Sequence, residues 1–288
     1  MKLSLMTLNL FFTIFYRFMM TQDMEEYHEN YEEMLDLVKE SGFEAVDMTN
    51  MEVQTLGLPY VKEQLAKRDL KVSSLICMGD FAQVDESKSG EIISQGKQAA
   101  DWCVELGAKV QMLVPSTRED LSRFSEEEIH QALVRHFTPV AVYAREKGIR
   151  PVIEDAPQLQ YHMCTAAQLR KLLGCVPELE LVYDSGNMVL VKEDPVEYLK
   201  QFADQLGHVH LKDMRPATDA DRGADVGIDG VAMTGAASGT GCVDLKAVTG
   251  TLKEIGYDGY CTVEFAIYEE REYFSGLVRS RDYCEKLI

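Results

Sequence analysis

Four segments of the chain end a short apolar run on a side chain that can bind a cation or move a proton. The segments PVIE, LVYD, HVH and TVE end on Glu154, Asp184, His210 and Glu264. Carboxylate oxygens and imidazole nitrogens are metal ligands, and carboxylates also act as general acids and bases. In a β-strand each of these side chains lies on the same face as the residue two positions earlier. If the four strand ends meet, three carboxylates and an imidazole converge.

Three carboxylates that close to one another repel and raise one another's pKa unless a positive charge lies among them. A divalent cation is the simplest source of that charge. Two or three carboxylate oxygens and one imidazole suit Mn²⁺, Mg²⁺, Co²⁺ or Zn²⁺ and leave open positions for a substrate. The residue types therefore predict one divalent metal ion as a cofactor.

The elements that must position these residues follow an alternating pattern of β-type runs and amphipathic stretches. We predict helices at 24–40, 88–106, 125–147, 195–205, 245–255 and 269–286. Eight strands are predicted, at 3–8, 43–48, 72–77, 110–114, 151–154, 179–184, 208–211 and 260–264.

Eight successive βα units without a separating linker predict an α/β fold, a single (β/α)8 TIM barrel over 1–288. A doubly wound open sheet is the rival, but no G-x-G-x-x-G motif follows the first strand. The segment 216–241, rich in Gly, Ala and Asp, predicts a long loop after strand seven. Barrels of this kind carry their active sites at the C-terminal ends of the strands, where the four residues above lie.

At these residues the sequence resembles the xylose-isomerase-like TIM-barrel family of sugar phosphate isomerases and epimerases. The resemblance rests on AREKGIRPVIED, LVYDSGNM, HVHLKDMR and the segment GTGCVDLKAVTGTLKEIGYDGYCTVEF. It implies that Glu154, Asp184, His210 and Glu264 bind one divalent metal. It further implies that Glu154 and Glu264 form the acid/base pair on opposite faces of the sugar.

The chemistry of the residues agrees with this implication. A ligated ketose would have a polarised carbonyl and an acidified neighbouring C–H, so one glutamate could remove a proton, forming an enediolate, and the other return one. Return to the opposite face gives epimerisation, and return to the neighbouring carbon gives aldose–ketose isomerisation. A ketose 3-epimerase is the leading hypothesis. An inosose-type dehydratase on the same barrel and a non-catalytic sugar-binding relative are the alternatives.

Three further residues are predicted to contact the substrate. Asn187 follows Asp184 by three positions, in the place where free-ketose 3-epimerases of this family carry His. The D-x-G-N form, HLKD and G-x-G-C-V-D resemble the L-xylulose and L-ribulose 5-phosphate 3-epimerases more closely, which favours a phosphorylated substrate. Lys212 and Arg215 could hold a substrate oxygen or phosphate, although an exposed or ion-paired role is also open for each.

Other features have both a functional and a plain structural interpretation. The segment 238–241 (SGTG) could present backbone N–H groups to a phosphate or could be an ordinary turn. His208 is expected to hydrogen-bond Glu154 or Asp184 behind the metal ligands, or to be a core histidine satisfied by backbone. The aromatic run after strand one, from Phe11 to Phe18, could cap the apolar face of a sugar, pack against a second subunit or belong to the core.

The overall charge excludes several classes of partner. The 29 basic and 48 acidic residues give a net charge of −19, which opposes nucleic acids and anionic membrane surfaces. The six histidines are too few for the three-zinc site of endonuclease IV, which shares this barrel. Seven scattered cysteines without a C-x-x-C pair indicate reduced thiols, so we expect a cytoplasmic enzyme acting on a small sugar or sugar phosphate. The oligomeric state is left open, a homo-oligomer included.

Overall fold

The computed structural model describes residues 1–155, 159–219, 221, 223–264 and 270–288. Eight parallel strands close into a ring, in which the first strand pairs with both the second and the last, so the predicted (β/α)8 barrel is confirmed. The described residues form these strands: β1 (Lys2–Met6), β2 (Ala45–Thr49), β3 (Lys71–Cys77), β4 (Val110–Leu113), β5 (Arg150–Glu154), β6 (Glu180–Asp184), β7 (Leu206–Leu211), β8 (Asp213–Pro216), β9 (Asp225–Val226), β10 (Ala232–Ala236) and β11 (Tyr260–Val263).

Helices connect the strands and cover the outside of the barrel. Ser125 begins α6 with a capping box, in which its side chain and that of Glu128 satisfy each other's backbone N–H groups. The helices are α1 (Leu8–Thr21), α2 (Met24–Glu40), α3 (Asn50–Leu56), α4 (Leu58–Lys67), α5 (Ser89–Leu106), α6 (Glu126–Glu146), α7 (Ala166–Cys175), α8 (Asn187–Val191), α9 (Pro195–Gln201), α10 (Leu245–Glu254) and α11 (Glu270–Glu285). Among the described residues, no helix combines the length and apolar character that a membrane span requires.

The inside of the barrel holds its own apolar cluster, separate from the larger core between strands and helices. Met6, Ile76, Met112, Val152 and Val182 form most of this inner cluster, and each is almost fully buried. Because side chains alternate along a strand, Val152 and Val182 place Glu154 and Asp184 on the same inward face, one layer nearer the C-terminal end. The strands thus direct these two carboxylates to the mouth of the barrel.

The N-terminal region differs from the prediction. The first strand ends at Met6, and Leu8 begins helix α1 rather than ending the strand. The aromatic run forms α1, with Phe11 buried and Tyr16 65% exposed. The helical periodicity of this run is weak in the sequence, because apolar residues occupy most positions and are interrupted only by polar residues such as Asn9, Thr13 and Arg17.

The segment 216–241 contains more regular structure than a long loop. β8, β10 and β9 form a three-stranded antiparallel sheet in that order beside the barrel mouth. Residues 220 and 222 of this segment, and residue 269 at the predicted start of the last helix, lie outside the described residues. The short helices α3, α4, α7 and α8 were also not predicted, since single turns and short amphipathic stretches give little periodic signal.

Candidate active site

The structure brings the four strand-end residues Glu154, Asp184, His210 and Glu264 together at the C-terminal mouth of the barrel. One ligand atom from each lies within 4.8 Å of the ligand atoms of the others. Glu154 and Asp184 end β5 and β6, His210 lies near the end of β7, and Glu264 directly follows β11. These four strands are neighbours in the barrel, so their ends face one shared space.

The two oxygens of Asp184 have different surroundings. Oδ1 accepts hydrogen bonds from the backbone N–H groups of Gly186 and Asn187, both at 2.7 Å. Oδ2 is buried and has no hydrogen-bond partner among the residues that the structure describes. Burial and the nearby Glu264 and Glu154 carboxylates raise the pKa of Asp184 well above its usual value, although Lys212 opposes that shift. A buried carboxylate oxygen without a partner, beside further carboxylates and an imidazole, fits a divalent cation.

His210 links this cluster to a carboxylate that the sequence analysis missed. Its Nδ1 contacts Glu154 Oε1 and lies 3.5 Å from Glu264 Oε2, while its Nε2 lies 3.3 Å from Asp47 Oδ2. Burial alone would lower the pKa of His210, but Glu154, Asp47 and Glu264 raise it well above its usual value. A carboxylate on the far nitrogen is the arrangement that fixes the ring of a metal-binding histidine.

Asp47 lies on β2 and is fully buried inside the barrel. Its Oδ2 accepts a hydrogen bond from Nε2 of His208 at 2.7 Å, and its Oδ1 accepts one from the Ser73 hydroxyl. Burial would raise the pKa of Asp47, but the two histidines hold it below its usual range. The segment GFEAVDM contained a signal for this residue, because Asp47 near the end of an apolar strand repeats the pattern of the four predicted ligands.

The predicted partners of His208 were wrong. His208 contacts Asp47 and the hydroxyl of Thr262 (2.9 Å) rather than Glu154 or Asp184. It lies one inward-facing layer below His210 on β7, and at that depth the neighbouring strands β2 and β11 supply the acceptors. Its contact with the cluster of Glu154, Asp184, His210 and Glu264 therefore passes through Asp47.

Lys212 and Asn187, two of the residues predicted to contact a substrate, lie beside the cluster. The Lys212 ammonium lies 2.7 Å from Glu264 Oε1 and donates to Asn187 Oδ1 at 3.1 Å. Asn187 is fixed in turn because its Nδ2 donates to the backbone carbonyl of Asp155 at 3.0 Å. Burial would lower the pKa of Lys212, but Glu264, Asp184 and Glu154 raise it above its usual value. Despite burial, Lys212 and His210 hold the pKa of Glu264 below its usual range. Lys212 and Glu264 therefore both carry charge at neutral pH.

A cavity of about 500 Å³ opens above this cluster, a size typical of small-molecule sites. Glu154, Glu264, Lys212 and Asn187 line it, whereas Asp184 and His210 are fully buried beneath. Apolar side chains from the barrel and α1 supply much of the remaining wall, and Asp225 of β9 and Thr234 of β10 also line it.

A substrate or phosphate contact was considered for Arg215 and the SGTG segment, but neither is among the described residues that line this cavity. The Arg215 guanidinium pairs with Asp221 at 2.5 Å. The physical reason is the Asp221 carboxylate, which accepts two hydrogen bonds from the Arg215 guanidinium. In the SGTG segment, the N–H groups of Gly239 and Gly241 donate to Asp213 Oδ2 at 2.9 and 2.8 Å. The Asp213 carboxylate thus takes the position that a phosphate was expected to occupy.

Comparisons with known proteins agree on the fold. The chain is 28% identical to the inosose dehydratase of Lacticaseibacillus casei over 174 residues, 56% of this chain and 55% of that protein. The match thus spans about half the length of that relative. Two solved structures superpose over the whole chain: D-psicose 3-epimerase of Clostridium cellulolyticum H10 (TM-score 0.77, 12% identity, 99% of that chain) and the IolI protein with a bound zinc atom (TM-score 0.72, 20% identity, 98% of that chain).

Residues 35–280 match the model of the xylose isomerase-like TIM barrel family. That span contains all four clustered residues at the barrel mouth, together with Lys212 and Asn187. The chain therefore belongs to the xylose isomerase-like TIM barrel family.

Proposed function

We propose that this protein is a divalent-metal-dependent epimerase or isomerase of a small sugar, with ketose 3-epimerisation as its reaction. One observation carries the proposal: the four clustered residues differ in access to the cavity. Asp184 and His210 are fully buried, whereas the Glu154 and Glu264 side chains are 13% and 11% exposed. The buried pair can hold an ion, and the two glutamates can reach both the ion and a substrate.

The donor set supports one divalent ion, with Mn²⁺, Mg²⁺, Co²⁺ and Zn²⁺ as candidates. The zinc atom of the similar IolI structure is compatible with this assignment. When bound, such an ion would polarise the substrate carbonyl and acidify the adjacent C–H bond. Glu154, Asp184, His210 and Glu264 would hold it.

The residues of the chain supply the remaining steps. Either Glu154 or Glu264 removes the proton from the carbon beside the carbonyl, which leaves an enediolate, and the other glutamate returns a proton. Lys212, held between Glu264 and Asn187, can donate a hydrogen bond to the oxygen that gains charge. Return of the proton to the opposite face of the same carbon gives the 3-epimer.

The cavity supports a substrate without a phosphate group. Lys212 is the basic side chain among the described residues that line it, and Glu264 already neutralises that charge. Arg215 pairs with Asp221 elsewhere, and Asp213 occupies the N–H groups of the SGTG segment. A neutral sugar therefore suits this cavity better than a sugar phosphate.

A dehydratase is the second candidate, and the inosose dehydratase relative favours it. The first step would be the same proton removal by a glutamate, but the enediolate would then expel the hydroxyl group of the next carbon, which takes a proton from the other glutamate and leaves as water. Product mass separates the two reactions, because an epimerase conserves the mass of the substrate and a dehydratase lowers it by one water.

The two-glutamate mechanism is tested by exchange of substrate hydrogen for deuterium in deuterated water. A panel of pentuloses and hexuloses is incubated with the Mn²⁺-loaded protein and with its Glu154→Gln and Glu264→Gln variants. Loss of a general acid or base lowers the exchange rate by about 10²- to 10⁴-fold. Glu146→Gln, a change at an exposed glutamate near the end of α6, is the matched control and keeps the full rate. Full exchange in both site variants would contradict the mechanism.

A further inference from the structure

The two sides of the substrate cavity are built from opposite halves of the barrel. One half of the barrel consists of four consecutive strands, β5, β6, β7 and β11. These strands, or the segments directly after them, carry the lining residues Glu154, Asn187, Lys212 and Glu264. β1, β2, β3 and β4 form the other half. The order of the strands therefore separates the charged wall from the wall opposite.

The wall opposite is apolar. Among the described lining residues from β1, β3, β4 and the segments after them, only Asn9 and Ser116 are polar. The apolar side chains that matter most here are Met6, Phe12, Ile76, Met78, Met112 and Val114. Five of these, all except Phe12, also belong to or pack on the inner barrel cluster, so the wall is a continuation of the core.

Such a wall is a poor surface for hydroxyl groups. A hydroxyl that leaves water without finding a hydrogen-bond partner costs roughly 1–3 kcal/mol. A free sugar carries hydroxyls around its whole ring, so binding the charged wall through one edge would press others against methionine and phenylalanine side chains. A ring or alkyl group placed there would instead gain free energy by burying apolar surface.

The apolar wall also continues out of the cavity along α1. Phe12 lines the cavity, and its ring lies 6.0 Å from the ring of Tyr16, which is 65% exposed. A group too large for the cavity could therefore extend along α1 without leaving an apolar surface.

We propose that the natural substrate is a keto sugar with a free carbonyl group and an apolar, ring-sized substituent, such as an aryl group, on an oxygen of another carbon, with the sugar on the charged wall and the substituent between the apolar wall and α1. This inference rests on the proposed function for the sugar end of the substrate. The apolar substituent at the other end of the substrate is inferred from a separate set of residues, those of the apolar wall.

Binding of matched glycoside pairs tests the inference without turnover. The probes are methyl and phenyl glycosides of glucose, galactose and xylose, and the measurement is the dissociation constant of each with the full chain by titration calorimetry. We expect at least one phenyl glycoside to bind about tenfold or more tightly than its methyl counterpart, through burial of the ring. Met78→Gln, which makes the wall polar at nearly constant size, reduces that ratio to near one.

The control is Met19→Gln, the same substitution at a side chain of α1 that is 52% exposed and does not line the cavity, and it keeps the tenfold ratio. Equal affinities for phenyl and methyl partners, no measurable binding of any phenyl probe, or a preference that survives Met78→Gln would overturn the inference. A phenyl preference without deuterium exchange on any sugar contradicts only the proposed function. Exchange on free ketoses without a phenyl preference contradicts only the apolar substituent.

Discussion

At the scale of single residues, the candidate site depends on pairs of groups that hold each other in one protonation state. Lys212 is buried, Glu264 is partly exposed to the cavity, and the charge of each stabilises the charge of the other. Asp47 does the same for His210 from the side away from the cavity. Each group in these pairs needs its partner, because an isolated charge at this depth is strongly disfavoured.

Replacing Asp47 tests its role in positioning His210. Asp47→Asn keeps the shape but removes the negative charge behind the ring, so we expect metal affinity to fall by about 10- to 100-fold. Competition with a chelator of known affinity measures this change. Asp204→Asn, at an exposed aspartate, leaves the affinity unchanged. An unchanged affinity in Asp47→Asn would show that His210 is held by its other contacts.

Glu52 gives a prediction on stability that is independent of catalysis. Its carboxylate is buried among Thr49, Tyr31 and Thr7, and burial raises its pKa from 4.5 to about 7 despite their hydrogen bonds. Between these two pH values the folded protein binds more protons than the unfolded chain, so stability falls as pH rises. The loss approaches about 3 kcal/mol above pH 7.

Glu52→Gln is neutral at every pH and should lack this loss. Urea unfolding between pH 5 and pH 8 then shows a smaller decrease in the free energy of unfolding for the variant than for the unaltered protein. Glu29→Gln, at an exposed position of α2, keeps the original slope. Parallel pH profiles for all three proteins would mean that Glu52 does not titrate in this range.

At the scale of elements, the connection from β7 to α10 is organised by one carboxylate. Asp213 accepts backbone hydrogen bonds from Met214, Gly239, Gly241 and Val243. It thereby ties the start of β8 to the segment before α10. Gly241 must lack a side chain, since a Cβ there would lie 2.2 Å from Asp213 Oδ1. This tie positions Lys212 and Met214, its neighbours in the chain, at the cavity.

Removal of the Asp213 carboxylate leaves four N–H groups without their acceptor. We expect Asp213→Ala to lower the free energy of unfolding by about 3 kcal/mol or more, measured by urea denaturation. Asp244→Ala provides the comparison, because Asp244 caps the exposed start of α10 and its loss costs about 1 kcal/mol. Equal effects of the two substitutions would argue against a special role for Asp213.

At the scale of the whole molecule, the closed barrel brings together groups that are far apart in the chain. Glu154 and Glu264 are 110 positions apart, yet their ligand atoms lie within 4.8 Å. The fold holds three carboxylates in one cluster, which is electrostatically unfavourable without a cation. A bound divalent ion should therefore stabilise the entire domain.

Thermal unfolding with and without Mn²⁺ tests this linkage. At a metal concentration one hundred times the dissociation constant, binding adds about 2.7 kcal/mol, which raises Tm by on the order of 5 °C. A chelator reverses the increase, and Asp184→Asn abolishes it, whereas Asp258→Asn at an exposed site retains it. If Asp184→Asn responds to Mn²⁺ as strongly as the unaltered protein, the ion binds elsewhere.

The sequence by itself determined the barrel and the four clustered residues, because both follow from local patterns. Alternation along each strand fixes which side chains face inward, and the C-terminal ends of parallel strands must share one end of a closed barrel. Only the tertiary structure decided the partners across the barrel. Asp47 lies 163 positions from His210, and no local pattern encodes that pairing. The same limit explains Arg215 and the SGTG segment, since their neighbours depend on the three-dimensional path of the chain between β7 and α10.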